Sequence, residues 1–181
     1  MAVALRTPRL LLREWRDSDV EPFAAMSFDS TVMQYLLPFA DRAASDNWVA
    51  RMRQRQAQDG FGHWAVELPG EAALIGAVGL SRVTFPAPFT PAVEIGWRLA
   101  QPYWGRGYAI EAARAAIDDG LGRLGLREIV AFTVPANRRS WGLMERLGMT
   151  RDPADDFDHP AVPDGHELLG HVLYRIRRAA A

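Results

Sequence analysis

The sequence predicts an α/β protein, a mixed β-sheet flanked by helices, and three observations predict it. From Ala92 to Ile176 the pattern alternates strand, helix, strand, helix, strand. A run of earlier strand-like segments precedes that alternation, so strands of both directions must share a sheet. With 49% apolar and 24% charged residues, 181 residues suit one packed domain, 1–181, at roughly 150 residues per domain.

The elements follow in order. Arg9 to Arg13 is a short apolar run after Pro8 and reads as a buried strand. Asp17-Ser18-Asp19 offers cap chemistry to a helix bearing Val20, Phe23, Ala24 and Met26. Ser30 to Tyr35 suggests a second short helical piece. Ser45 or Asp46 could cap a longer helix through Trp48, Val49 and Met52, ending near Asp59-Gly60, with Arg51, Arg53 and Arg55 on a solvated face. Gly62–Glu67 and Ala73–Leu80 read as strands around a Pro69-Gly70 turn.

Arg82 to Pro91 carries Pro86, Pro88 and Pro91 and must be a loop. Ala92 to Leu99 alternates, with Val93, Ile95, Trp97 and Leu99 on one face and Glu94, Gly96 and Arg98 on the other. A Gly-rich turn, Pro102–Gly107, leads into a helix from Tyr108 to Arg123, with Ala109, Ala113, Ala116 and Ile117 at helical spacing. Glu128–Val134 is a strand, Arg139–Leu147 a helix ended by Gly148, and Leu168–Ile176 a last strand after the acidic stretch Asp152–Asp164.

Composition excludes several chemistries. There is no cysteine, which removes disulfides, a thiolate nucleophile and Cys-based zinc sites. All 21 basic residues are Arg, which removes a Walker-type lysine and a Schiff-base lysine. The formal net charge of -1 gives no basic excess for duplex nucleic acid or an anionic membrane. Apolar runs fall well short of about 18 residues, and Met1–Arg6 is too short for a leader, so the cytoplasm is the expected compartment. No metal is expected.

The sharpest motif is Trp104-Gly105-Arg106-Gly107-Tyr108-Ala109, between a strand and a helix. Glycines let a backbone approach a ligand, and free N–H groups of a first helical turn favour phosphate, to which Arg106 adds a cation. An ordinary strand-to-helix turn needs glycines too. A dinucleotide fingerprint is excluded, since the third glycine would fall at Ile110. After the next strand comes Asn137-Arg138-Arg139-Ser140, closed by Leu147-Gly148-Met149.

Taken in order, these blocks resemble the GNAT superfamily of acyl-CoA-dependent N-acetyltransferases. The opening Thr7-Pro8-Arg9-Leu10-Leu11-Leu12-Arg13-Glu14-Trp15 and the stretch from Glu94-Ile95-Gly96-Trp97 to Glu111-Ala112 look most like its RimJ/RimL branch. The resemblance implies the GNAT fold, a central mixed sheet that splays so that pantetheine inserts like a strand. Ile95, Trp97 and Leu99 would offer backbone groups to it. Gly105, Arg106, Gly107, Tyr108 and Ala109 would hold the pyrophosphate. Asn137 and Ser140 would meet the far end of pantetheine, and Arg138 or Arg139 the 3′-phosphate unless they are surface charge.

The resemblance implies acetyl-CoA as cosubstrate and an amine acceptor, an N-terminal peptide or a small amine. Glu94 stands ten residues before Trp104, where family members carry a catalytic glutamate. A free Glu has a pKa near 4.3, so burial must raise it for base work. The other reading of Glu94 is a carboxylate that binds a cationic acceptor. The family's usual Tyr acid falls at Met144, so Ser140 is the remaining candidate to protonate the thiolate.

His166 and His171, five apart, lie on or beside one strand and would face opposite ways if both are in it, so they are not a metal pair, and His63 reads as structural. The acidic residues around His159 either attract a cationic acceptor or are simply solvated. Two functions stay open at this point: an N-acetyltransferase, or an acyl-CoA-binding sensor or interaction module with little catalysis. A second copy of the chain is a partner the sequence leaves open.

Overall fold

A computed structural model describes residues 3–178. Met1 and Ala2, part of the leader reading, and residues 179–181 lie outside them. Among the described residues, nine strands and five α-helices run in the order β1 (Leu5–Arg6), β2 (Leu11–Arg13), α1 (Val20–Ser27), α2 (Ser30–Met33), α3 (Arg42–Asp59), β3 (His63–Leu68), β4 (Ala72–Arg82), β5 (Val93–Leu99), α4 (Tyr108–Leu121), β6 (Glu128–Thr133), α5 (Arg138–Arg146), β7 (Thr150–Arg151), β8 (Phe157–Asp158) and β9 (Gly170–Arg177).

The sheet order is β1-β2-β3-β4-β5-β6-β9-β7, with β8 also on β9. Every pairing is antiparallel except β5 with β6, so the sheet is mixed, as expected. The alternation of β5 decides which helices cover which face. Val93, Ile95 and Leu99 join one core with Ala112, Ala113, Ala116 and Ile117 of α4 and Leu143 and Met144 of α5. On the opposite face Ala65 and Ala77 pack with Trp15, Phe23, Met26, Val49 and Met52, brought by α1 and α3. Trp64, without accessible surface, fastens the first core. Burying a large side chain contributes about 1.5–3 kcal/mol.

Three expectations need correction. Asp17-Ser18-Asp19 does not cap α1 through a side chain. The sealed Asp19 carboxylate instead accepts from Arg13 at 2.7 and 2.9 Å and from the Arg16 amide. The long helix is capped by Asp41, whose carboxylate accepts from Ala44 N–H, and it starts at Arg42; Ser45 is buried inside it. Arg53 and Arg55 are not fully solvated: Arg53 pairs with Asp17 at 2.8 Å, and Arg55 is half-buried.

The turn at Pro69-Gly70 stands as read, with Gly70 at φ 83°. Strands β1, β7 and β8 have two residues each and leave no periodicity to read.

Candidate acyl-transfer site

The parallel register of β5 and β6 rests on one pair, Glu94 opposite Val130. Beyond Glu94, β5 stays bonded to β4 through Leu99, but no residue pair joins it to β6. In an antiparallel ladder, alternate residues turn their N–H and C=O away from the partner strand. The stretch Ile95–Leu99 therefore offers an unpaired edge in the middle of the sheet, the splay that the family resemblance implies.

The end of that edge runs directly into the glycine loop. Trp104 donates its indole N–H to the Leu99 carbonyl at 2.7 Å, so it braces the turn from below. Gly105 and Gly107 have φ of 72° and 80°, the left-handed region that side chains resist. A Cβ on Gly105 would meet nothing within 4 Å, so its backbone faces open space. Gly107 caps α4 and, having no side chain, supplies no cap hydrogen bond to the first-turn N–H groups. Such a terminus favours an anion. Tyr108 is buried, and Ala109 packs against the main core.

The N-terminal block holds this loop in place. The Glu111 carboxylate accepts from Thr7 Oγ1 at 2.6 Å, from the Arg9 amide at 2.9 Å and from the Arg9 guanidinium. Arg9 also donates to the Arg106 carbonyl and lies 4.6 Å over the Tyr108 ring. Burial opposes ionisation of Glu111, but these donors outweigh it and lower its pKa. Thus two blocks a hundred residues apart in sequence form one clamp. The Arg106 side chain is exposed.

Glu94 lies partly buried at the point where the strands part. Ser81 donates to it at 2.9 Å. Desolvation raises its pKa, against the Ser81 bond and the charge of Arg55. Those are the conditions a glutamate base requires. On the same face, Gly96 leaves room for the His63 ring: a Cβ there would stand 2.8 Å from His63 Nε2. Burial, then the charges of Arg98 and Arg55, lower the His63 pKa to about 3, so the imidazole is neutral. His63, read from sequence as structural, therefore shares the face of Glu94. Its place follows from a cross-strand register, His63 beside Gly79 and Gly79 beside Gly96, that no local pattern announces.

Past the split, Asn137 caps α5. Its Oδ1 accepts from the Ser140 amide and its Nδ2 donates to Thr133 Oγ1, so both ends of the amide are engaged within the protein. Ser140 is half-buried, and its hydroxyl has no partner among the described residues. Met144 is sealed in the core, so no acid stands at that position. Arg139 stacks 5.0 Å over Trp104 at the rim, while Arg138 is exposed.

A further feature escaped the sequence reading. Phe85 and Phe89 of the Pro-rich loop, Phe132 of β6, Phe157 of β8, His159 and His171 form one aromatic cluster. Neighbouring ring centroids are 4.6–6.2 Å apart. All six rings keep some exposure. They come from four remote segments, each carrying only one or two of them, and nothing local links those. The cluster also corrects the histidine reading. His166 lies outside β9 in an exposed turn, and His171 in β9 meets His159 instead, at 5.1 Å. The acidic stretch is not merely solvated: Asp155 pairs with Arg175 and Asp156 with Arg151.

Known proteins share this fold. Residues 9–150 match the acetyltransferase (GNAT) domain family. YnaD of Bacillus subtilis, an uncharacterized N-acetyltransferase, is 28% identical over 172 residues, 95% of this chain and 95% of its own length. The FsC-acetyl coenzyme A-N(2)-transacetylase of Aspergillus fumigatus is 30% identical over 181 residues, covering 96% of this chain and 76% of that protein. The crystal structure of a GNAT-family acetyltransferase from Bacillus anthracis superposes with a TM-score of 0.79 at 28% identity, over 97% of this chain and 99% of that one. The parted strands and the glycine loop thus sit in a fold and a sequence pattern with one common owner, and the chain belongs to the GNAT family of N-acetyltransferases.

Proposed function

We propose that this protein transfers an acetyl group from acetyl-CoA to a primary amine, on a protein N-terminus or a small molecule, by direct attack on the thioester. The observation that carries the reading is the single-pair register at Glu94 and Val130, followed on the same strand by the glycine loop at the start of α4. An extended pantetheine has the shape to fill the open edge of Ile95–Leu99. The loop Gly105–Ala109 meets its pyrophosphate with N–H groups and the helix dipole.

Glu94 first takes a proton from the acceptor ammonium, and the neutral amine then attacks. Its nitrogen bonds to the carbonyl carbon as the C–S bond breaks, the nitrogen gives up its second proton to solvent, and the thiolate takes one proton. A backbone N–H of β5, near Ile95, stabilises the oxyanion. Ser140, with its hydroxyl free at the first turn of α5, is the proposed proton donor to sulfur. Asn137 acts here by holding that turn.

The RimJ/RimL branch is the proposed affiliation, supported by the Thr7–Trp15 block and its clamp on Glu111. The proposal takes residues 1–181 as one domain and places it in the cytoplasm. It needs one copy of the chain only, because Glu94, the loop and Ser140 all belong to it; a homodimer has no part in the chemistry.

A second reading has one observation in its favour: Met144 fills the acid position with a core side chain. That suits an acyl-CoA sensor or interaction module with little turnover. A panel of amines and N-terminal peptides, assayed for free CoA, separates the two. Amine-dependent CoA release is the expected result. Tight acetyl-CoA binding without release from any acceptor would favour the module.

A further inference from the structure

We propose that Arg98 anchors a carboxylate on the acceptor, so that the substrate class is an amine that also carries an acid; this rests on the acetyl-transfer reading above. Arg98 stands on the same face of β5 as Glu94, four residues on, with Gly96 between them. At about 3.3 Å per residue the two Cα atoms are roughly 13 Å apart. The floor between them is uncharged: Gly79 and Gly96 offer backbone alone, and the neutral His63 ring lies over Gly96.

The setting of Arg98 is that of a charge prepared for a ligand. Its guanidinium lies 5.7 Å from the Phe23 ring, 5.4 Å from Phe39 and 5.7 Å from Trp48. Ring contact of this kind holds the guanidinium while leaving its in-plane N–H groups for hydrogen bonds. Among the described residues one of those is engaged, with Ser27 Oγ at 3.4 Å. No carboxylate among the described residues pairs with Arg98. Its remaining nitrogens are not sealed, since the sealed and partnerless side-chain atoms among the described residues belong to Ser45, Arg53, Gln56 and His63.

This is not how the protein treats a buried arginine that only supports the fold. Arg13 is met by Asp19 at 2.7 Å and Glu67 at 2.6 Å. A half-buried cation with no opposite charge beside it is costly and is retained where something compensates it. For Arg98 the compensation comes with the acceptor: its ammonium lies toward Glu94 and its carboxylate takes the guanidinium fork, a bidentate pairing. Desolvation by burial, which lowers the Arg98 pKa to about 10, agrees with a cation poorly served by the protein alone.

The test compares acids with their amides. One arm uses ω-amino acids from glycine to 6-aminohexanoate, each beside its carboxamide. The other uses short peptides with Asp or Asn in the second position, which separates free amino acids from protein N-termini as the source of the carboxylate. The wild-type enzyme should prefer at least one acid over its amide by roughly 10- to 100-fold in kcat/KM, as expected for hydrogen bonds to a charged group. The preference should reside in KM and shrink to near unity in Arg98→Met, which keeps the apolar stem.

Arg98→Lys, which keeps the charge without the fork, should retain part of the preference and serves if the methionine variant fails to fold. If neither folds, the wild-type ratio decides alone. Turnover of amides with no acid preferred, or a preference that survives Arg98→Met, would overturn the assignment while leaving acetyl transfer intact. Acetyl-CoA binding without turnover of any acid would also count against it. Failure to bind acetyl-CoA at all would remove the underlying reading and this inference with it.

Discussion

At Glu94, burial and function pull in the same direction. Desolvation raises its pKa, which brings a carboxylate closer to the basicity an ammonium proton demands. Glu94→Gln keeps the shape and removes the base, and general base catalysis contributes about 10²–10⁴-fold. The variant should therefore lose about that factor in kcat at neutral pH while binding acetyl-CoA as before, and recover part of it at higher pH, where more acceptor is already unprotonated. If Glu94 only binds a cationic acceptor, stopped-time assays will show KM rising with kcat held. Because the active form is the carboxylate and its pKa is raised, wild-type activity should fall with decreasing pH earlier than an ordinary glutamate would dictate.

His63 makes a separate prediction about stability. Its folded pKa of about 3 lies below the ordinary value of 6.5, so the native state binds fewer protons than the unfolded chain between those limits. The stability linked to it is fully present above pH 6.5 and is lost as pH falls toward 3. Urea unfolding of the wild type and His63→Gln from pH 7 to 4 should diverge, the wild type losing up to about 1.4 kcal/mol more per pH unit. Parallel curves would show that the imidazole is not held neutral.

The element scale is dominated by the junction of β5 with α4. Gly107 stands at φ 80°, and a Cβ there would also approach Arg9 Nη2 to 3.2 Å. Gly107→Val should fold, as judged by circular dichroism, yet lose acetyl-CoA affinity by calorimetry, because a β-branched residue resists that dihedral and occupies the approach to the phosphates. Unchanged affinity would make the loop a turn and nothing more. Glu111→Ala should cost about 1–3 kcal/mol in thermal or urea unfolding, since Thr7 and Arg9 lose their common acceptor.

How much of this was legible depended on whether a signal was local. The alternation in Val93–Leu99 and the helical spacing from Ala109 to Ile117 lie within single elements, and both were read correctly. Cap assignments failed where a nearby residue competed: Arg13 and the Arg16 amide take the Asp19 carboxylate, and Asp41 caps the long helix ahead of Ser45. The Arg98 box, the His63–Gly96 contact and the Phe85–Phe132–Phe157 cluster join residues from separate segments. Sheet register and the packing of α1 and α3 bring the first two together, and the Pro-rich loop lying against β6 and β8 brings the phenylalanines together. Glu111 was read as a helix residue, and its role as the acceptor for Thr7 and Arg9 needed the fold.

For the whole molecule, the mixed sheet divides the work between its faces. One face with α4 and α5 carries most of the core, and the other, with α1 and α3, holds Glu94 and Arg98 on β5 and His63 two strands away on β3. In the proposed reading, acetyl-CoA enters at the break between β5 and β6. A ligand bound only by the folded state stabilises it, by about 2.7 kcal/mol at a hundredfold excess over Kd. Acetyl-CoA should raise the Tm accordingly, and NAD or ATP much less; an equal shift with NAD would point away from acyl-CoA.

The most direct test of the central claim is amide hydrogen exchange with and without acetyl-CoA. Acetyl-CoA should slow exchange at Ile95–Leu99 and at Gly105–Ile110, the open strand edge and the first turn of α4, while leaving β1, β2 and β7 unchanged. Protection confined to other segments, or none at saturating acetyl-CoA, would contradict the claim that the parted strands receive the acyl donor.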